Sequence, residues 1–112
     1  MNYLGNALSL GMLDHLDPEG SCCGTLEVVA LTTTEAAVWA AENEWTSCVG
    51  HQDTALLFSA MLEQTVVMRR ESTSLRPGDS ILVGQYNGPR LPEGALQLPT
   101  GAKIRWMLVT VG

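Results

Sequence analysis

A histidine follows a glycine where a short apolar segment gives way to a helical pattern. Gly50 and His51 come after residues 46–49, which predict a short strand, and His51 opens segment 51–63, whose apolar residues recur at helical spacing. Free amides in the first turn of a helix bind anions, and the helix dipole adds to this attraction. A histidine there can contact a phosphate and exchange a proton. The pair is therefore a candidate phosphate site, the alternative being a capping or surface histidine.

A second candidate lies in segment 87–102, whose glycines and prolines predict a long loop. It contains Arg90 and Glu93, three residues apart. Long loops in small domains often cover binding sites. An arginine can hold a phosphate through two parallel hydrogen bonds, and Glu93 can orient that arginine or His51. The alternative is an ion pair on a solvated loop.

Other polar and basic residues could support such a site. Asn6 and Ser9 follow the first predicted strand, where they could contact a phosphate or hydroxyl group or bond only within their own turn. Arg69, Arg70 and Arg76 hold most of the remaining positive charge, which could equally protect a solvated strand edge from aggregation.

Patterns for several other chemistries are absent from the sequence. It contains no P-loop, no G-x-G-x-x-G and no G-x-S-x-G, and its carboxylates are too scattered to predict a two-metal site. Cys22, Cys23 and Cys48 are odd in number, and with two histidines they complete no zinc pattern. We therefore expect no metal or cofactor, a reducing cytoplasm and a core position for Cys48.

Length and composition predict one soluble domain. The chain has 112 residues, 46% of them apolar and 16% charged, which suits a single domain over residues 1–112. So small a domain buries little surface, which favours a homodimer. No apolar run approaches the roughly 18–20 residues of a membrane span, and the N-terminus lacks the pattern of a signal peptide. We expect a cytoplasmic protein that does not contact membranes.

Charge is unevenly distributed along the chain. The net charge is −6, with −9 in residues 1–68, which contain no Lys or Arg, and +3 in residues 69–112. An acidic protein is not expected to bind DNA or RNA generally through a basic face. An anionic ligand must instead meet a few placed arginines, backbone amides and hydroxyls, unless the asymmetry is accidental.

The hydrophobic pattern predicts an α/β domain, with a mixed β-sheet flanked by helices. Thr32 and Glu35 have the spacing of a capping box at the start of the first helix. Strands are predicted over residues 2–5, 25–31, 46–49, 65–69, 80–86 and 103–111, and helices over 33–43 and 51–63. Loops or turns are predicted at 6–13, 14–24 and 77–79. The core candidates are Leu8, Leu10, Met12, Leu13, Val38, Trp39, Ala55, Leu56, Phe58, Met61 and Leu62.

Three motifs together resemble one known family. NYLGNALSLGML, GHQDTALLFSAML and RPGDSILVGQYNGPRLPEG are similar, in order and spacing, to the viral type III anti-CRISPR ring nucleases and their prokaryotic relatives. The resemblance covers residues 3–110. The combination of NA-x-S-x-x-ML, GH-x-x-TA and RLPEG is specific, although each piece alone is weak.

The resemblance implies a fold, a ligand and an activity. It implies a small α/β domain that works as a homodimer and binds cyclic tetra-adenylate, the second messenger of type III CRISPR complexes, across the dimer interface. It further implies cleavage without metal to linear di-adenylates with 2′,3′-cyclic phosphate ends, which silences the effector nucleases that the messenger activates.

The resemblance also implies roles for individual residues. His51 matches the catalytic histidine, and Arg90 and Glu93 match the arginine and glutamate of the RLPEG-type loop. Asn6 and Ser9 match ligand contacts of the first loop.

Two further matches and two departures concern the ligand pocket. Gln85 matches a strand glutamine, and Arg70, or the adjacent Arg69, matches a ligand-contacting arginine. Gly11 stands where some members have an asparagine, which removes one polar contact. The spacing from Gln85 to Arg90 is one residue longer than in some members, which predicts a different closure of the loop.

These residues suit the internal cleavage of RNA, in which a 2′-hydroxyl attacks the adjacent phosphate and expels the 5′-oxygen. We expect His51 to act as general acid to that oxygen, a role typically worth ~10²–10⁴ in rate, and Arg90 to stabilise the phosphorane. Two other hypotheses remain open at this point. One is a sponge that binds a cyclic oligoadenylate without cutting it, and the other is an interaction dimer with no nucleotide ligand.

Overall fold

Five strands form one mixed sheet in the computed structural model, which describes residues 1–16 and 24–112. The order across the sheet is β2-β5-β4-β1-β3; β1 is parallel to β3 and β4, and β5 is antiparallel to β2 and β4. The strands are β1 (Asn2–Gly5), β2 (Leu26–Leu31), β3 (Thr46–Ser47), β4 (Ser80–Asn87) and β5 (Lys103–Val111). Two α-helices, α1 (Thr33–Glu42) and α2 (Gln52–Leu62), and a 3-10 turn (Leu10–Met12) complete the elements. The predicted α/β class is confirmed.

Local signals in the sequence define the helix ends. The Thr32 hydroxyl accepts the Glu35 N–H at 3.1 Å, and a Glu35 carboxylate oxygen accepts the Thr32 N–H at 2.9 Å. This reciprocal pair is the predicted capping box, which satisfies two amides that the helix itself leaves unpaired. That capping box starts α1. At the C-terminal end of the second helix, α2, Glu63 takes a left-handed conformation (φ 56°) and ends the helix.

Both α-helices pack on one face of the sheet. Small residues Ala36 and Ala40 bring α1 close, while Phe58 and Leu62 anchor α2 against Leu82 of the central strand β4. The other face carries a second cluster that includes Ile81 and Val109. That cluster is covered by the chain around the 3-10 turn and by a loop residue; the buried members are Leu13, Leu75, Ile81, Val83, Val109 and Val111. Neither α-helix of the described chain is long and apolar enough to cross a membrane.

Two predicted strands differ from the structure. The prediction of a strand over 65–69 is wrong, because hydroxyl groups replace ladder bonds there: the Val66 N–H donates to Ser59 Oγ at 2.9 Å and Ser47 Oγ donates to the Val67 carbonyl at 2.6 Å. The strand predicted over 46–49 ends at Ser47. Beyond it, the Val49 carbonyl accepts a loop amide instead of continuing the ladder.

Two predicted core residues lie at the surface. Leu10 is 79% exposed, because the Ser9 cap starts a 3-10 turn that buries Leu13 instead. Val38 is 50% exposed, because it lies about 200° around α1 from the buried Ala36. On α2 the buried set includes Leu57, which the predicted list lacked. Of the loop predicted over 14–24, residues 17–23 lie outside the described part of the chain.

Gly84 allows two buried aromatic side chains of the core to meet over β4. Phe58 and Trp106 lie with ring centroids 4.8 Å apart and planes tilted by 55°. Gly84 is the register partner of Trp106, and a Cβ at Gly84 would lie 2.5 Å from the Trp106 ring and 2.6 Å from the Phe58 ring. No side chain other than hydrogen fits this position without moving a ring.

We predict that Gly84→Ala lowers the free energy of unfolding by about 1–3 kcal/mol, because the added methyl group overpacks the aromatic pair. Urea denaturation of the purified protein measures the change. Gly50→Ala is the matched control, since a Cβ there meets no atom within 4 Å and stability should stay near that of the wild type. Equal stability of the two variants would contradict the packing argument.

Candidate functional site

The carboxyl ends of three parallel strands meet at one edge of the sheet. Asn6 follows β1, the Gly50–His51 pair follows β3, and loop 88–102 follows β4. In open α/β sheets, ligands bind outside the carboxyl ends of parallel strands. The topology thus brings the sequence-predicted residues of three separate segments to the same end of the domain.

Hydrogen bonds from two side chains hold the peptide groups of Gly50. The Gly50 N–H donates to Oδ1 of Asn6 at 3.2 Å, and Nε of Arg70 donates to the Gly50 carbonyl at 3.0 Å. One residue earlier, the Arg69 N–H donates to the Val49 carbonyl at 2.8 Å. These bonds fix the chain at the point where it enters α2.

His51 occupies the N-cap position of α2 with extended backbone angles (φ −133°, ψ 134°). Its carbonyl accepts the Ala55 N–H at 3.0 Å, which starts the helix. Its imidazole makes no capping bond to the first turn of α2, all of which lies in the described part of the chain. Side-chain capping, one alternative for this histidine, is therefore not its role, whereas its exposure fits both a surface histidine and a ligand contact.

A cleft of about 360 Å³ opens beside this histidine. Asn6, His51 and Arg70 contribute polar groups to its lining, together with two hydroxyl residues and the carboxylate of Glu71, which pairs with Arg69. The full lining is Asn6, Ala7, Met12, Cys48, Gly50, His51, Arg69, Arg70, Glu71, Ser72 and Thr73. Amide, hydroxyl, imidazole and guanidinium groups around one cleft are a donor set that suits an anion.

The two adjacent arginines have different partners. Arg69 pairs with Glu71 through Nε at 3.0 Å and a terminal nitrogen at 2.7 Å, so its charge is already compensated. Within residues 1–16 and 24–112, Arg70 uses only Nε, which donates to the Gly50 carbonyl. Its four remaining N–H donors belong to the terminal nitrogens of the guanidinium group. Arg70 is thus the better placed of the two to bind a phosphate.

Arg90 and Glu93 line a neighbouring cleft of about 620 Å³ with Gln52, Asp53, Leu91 and Pro92. Because Gln52 directly follows His51, both clefts lie at the start of α2. Among the described residues, no ion pair joins Arg90 to Glu93, and no hydrogen bond joins either to His51. The structure brings these residues to one helix end without direct contact.

Two other predicted ligand residues lie apart from these clefts. The Ser9 hydroxyl accepts the Gly11 N–H at 3.2 Å and caps the 3-10 turn, which is the local bonding that the sequence left open. Gln85 is exposed on β4, opposite Arg105 of β5. Neither Ser9 nor Gln85 lines the cleft of His51 or that of Arg90, so their contact with a ligand stays a prediction.

Sequence reasoning missed one residue at this helix end, Asp53. Oδ1 of Asp53 accepts the Gly94 N–H at 3.4 Å, which links α2 to the Arg90 loop. An acidic residue in the first turn of the helix was the available signal. Cys48 lines the His51 cleft, where burial raises the pKa of its thiol against the opposing effects of Thr73 and the charge of Arg69. The thiol stays protonated at neutral pH, which fits a packing role.

Other sites offer less chemistry. Within residues 1–16 and 24–112, no three His, Cys, Asp or Glu side chains come together as a metal-binding group. A larger cleft, of about 1030 Å³, lies at the β3 edge of the sheet. Its lining contains Glu42 and Glu44 but no Arg, Lys or His, which does not suit an anion.

Comparison with known proteins places the chain in a family. No curated protein sequence matches it. The solved structure of B116 of Sulfolobus turreted icosahedral virus (STIV) is similar, with a TM-score of 0.75 over 97% of each chain and 20% sequence identity, which shows a shared fold. A family model described as STIV B116-like matches residues 2–101. The chain therefore belongs to the STIV B116-like family, in which a viral protein represents the fold.

Proposed function

We propose that this protein is a metal-independent ring nuclease that binds cyclic tetra-adenylate at the interface of a homodimer and cleaves it to linear di-adenylates with 2′,3′-cyclic phosphate ends. It would act in the cytoplasm of a prokaryotic cell and end type III CRISPR signalling. A viral copy would suppress host immunity, and a host copy would switch the response off after clearance.

The observation that carries the proposal is the exposed, non-capping His51 at the start of α2, where two clefts lined by arginines are found. A phosphate beside this helix end would meet the α2 amides, the imidazole and the free donors of Arg70. The choice of cyclic tetra-adenylate as the ligand rests on the resemblance of the sequence motifs to those of the ring nucleases.

The reaction needs only the ring itself, solvent water and side chains of this protein. The 2′-oxygen of a ribose forms a bond to the adjacent phosphorus as its proton leaves to solvent or a base, and the P–O5′ bond breaks. Protonated His51 gives its proton to the departing 5′-oxygen, and the product keeps a 2′,3′-cyclic phosphate. Arg90 stabilises the extra negative charge of the phosphorane. Glu93, which is not paired with Arg90 in the described chain, would orient Arg90 or His51 once the ring is bound. Holding the ring ready for in-line attack contributes up to ~7–11 kcal/mol.

Symmetry explains the proposed products. Two copies of the chain related by a two-fold axis would present one His51 to each of two opposite phosphates of a four-phosphate ring. Two cuts at opposite positions yield two di-adenylates. The ring carries about four negative charges, which two sets of arginines can match although each chain has a net charge of −6. The acidic remainder of the surface disfavours long RNA.

One observation favours a second candidate, a sponge that binds the ring without cutting it. Arg70 lines the His51 cleft, but Arg90 and Glu93 do not contact His51 within the single described chain. A protein with binding groups but an unassembled catalytic set would sequester the messenger. Intact ring recovered after denaturing the complex would favour this candidate, and no binding of any cyclic adenylate would leave only an interaction dimer.

We predict that His51→Ala slows ring cleavage by ~10²–10⁴ while ring binding persists, because the variant loses the general acid but keeps the arginines. The measurement is single turnover of radiolabelled cyclic tetra-adenylate with excess protein in EDTA.

His15→Ala is the matched control for loss of a histidine. The His15 ring contacts the Leu75 carbonyl at 3.2 Å and lines neither cleft. The His15→Ala variant should therefore cleave the ring at the wild-type rate. Equal rates for His51→Ala and the wild type would refute the general-acid role.

We also predict that Arg70→Ala weakens ring binding by roughly 10- to 100-fold, the loss expected for charge-assisted hydrogen bonds of about 1.5–3 kcal/mol. Arg69→Ala is the matched control, since Glu71 already compensates Arg69, and should bind nearly as well as the wild type. Equilibrium dialysis with labelled ring, in a His51→Ala background that slows cutting, measures both. A larger loss for Arg69→Ala would contradict the assignment.

A further inference from the structure

Two hydrogen bonds attach the Arg90 loop to the rest of the domain. At its start, the Tyr86 hydroxyl donates to the Pro89 carbonyl. Further along, the Gly94 N–H donates to Oδ1 of Asp53, in the first turn of α2, at 3.4 Å. Arg90 lies between these two attachment points, so its position depends on both.

The local turn gives the second attachment a defined direction. The Ala95 N–H donates to the Pro92 carbonyl at 3.2 Å, which closes a four-residue turn with Gly94 in its third position. Gly94 has φ +73°, as a type II turn requires, and glycine adopts this angle without strain. The turn therefore fixes the peptide between Glu93 and Gly94, whose N–H reaches Asp53.

The negative charge of Asp53 indicates that this residue does not bind an anionic ligand directly. The positive end of the α2 dipole stabilises a carboxylate in the first turn. Yet Asp53 lines the same cleft as Arg90 and Glu93, where a second carboxylate repels an anionic ligand. Acceptance of the Gly94 N–H is the one hydrogen bond of its side chain in the described structure, and it acts on the loop, not on a ligand.

We infer that Asp53 is a positioning residue that holds the Arg90–Glu93 segment against the start of α2. The inference deepens the proposed function and rests on it for its catalytic consequence, because it sets where Arg90 stands relative to a phosphate at His51. The attachment itself is a property of the chain without ligand.

Trypsin tests the attachment without any nucleotide. The enzyme cleaves after Arg90 when this segment opens, at a rate that follows the open population. We expect Asp53→Ala to raise cleavage after Arg90 about fivefold, the factor for one hydrogen bond worth about 1 kcal/mol, while Asp53→Asn keeps an acceptor oxygen and cleaves like the wild type. Cleavage after Arg105, in β5, which is paired with a strand on each side, reports global unfolding in the same digest and should not change.

Single turnover of labelled cyclic tetra-adenylate tests the consequence. We expect Asp53→Ala to lose up to about 100-fold in rate, the effect of misplacing a reacting group by about 1 Å, and Asp53→Asn to restore the wild-type rate. Tyr86→Phe, which removes the other attachment, should change Arg90 cleavage and turnover in the same direction as Asp53→Ala.

The outcomes separate this inference from the proposed function. If Asp53→Ala leaves cleavage after Arg90 unchanged, or if Asp53→Asn behaves like Asp53→Ala, the positioning role is overturned. If the wild type leaves the ring intact, the proposed function is overturned, whereas increased trypsin cleavage after Arg90 in Asp53→Ala alone would still support the attachment.

Discussion

The candidate site depends on the two hydrogen bonds that hold the main chain at Gly50. Asn6, from the end of β1, holds its N–H, and Arg70, from the segment after α2, holds its carbonyl. These two side chains direct the chain into α2 with His51 at the helix start. Because the same two residues also line the cleft, the groups that position the histidine are those that would meet its ligand. Loss of either one would disturb geometry and binding together.

The sheet provides this constraint through its parallel strands. β1 is paired on one side with β3 and on the other with β4, so three carboxyl ends lie at one edge. The antiparallel pairing of β4 with β5 keeps β4 central, and the Phe58–Trp106 pair packs α2 onto the central strands. Rigid elements thus carry His51, whereas a loop with two attachments carries Arg90. This division suits a site whose acid is fixed and whose anion clamp adjusts to the ligand.

Much of this arrangement was predictable from local patterns in the sequence. The capping box of α1, the course of β4 and β5, and the glycine-histidine start of α2 follow from spacing and residue type alone. The strand predicted over 65–69 failed because the Ser47 and Ser59 hydroxyls, distant in sequence, take its backbone bonds. The same reason hid the link between Asp53 and Gly94. Contacts made by one side chain across 41 residues leave no periodic signal.

The structure also divides the predicted site residues into groups that the sequence could not separate. Arg69 and Arg70 are adjacent, yet one is neutralised by Glu71 and the other holds Gly50. Ser9 caps its own turn, whereas Asn6 reaches across the strand ends. Sequence spacing cannot tell which member of such a pair is able to contact a ligand. The answer depends on which residues of other segments the fold brings beside each side chain.

We propose above all that the protein cleaves a cyclic oligoadenylate by attack of the ring's own ribose 2′-hydroxyl, with His51 as the general acid. Mass spectrometry of the products from cyclic tetra-adenylate, incubated with excess protein in EDTA, tests it most directly. The account predicts di-adenylates whose mass shows a 2′,3′-cyclic phosphate end. An intact ring, or products with 5′-phosphate and 3′-hydroxyl ends, would contradict it.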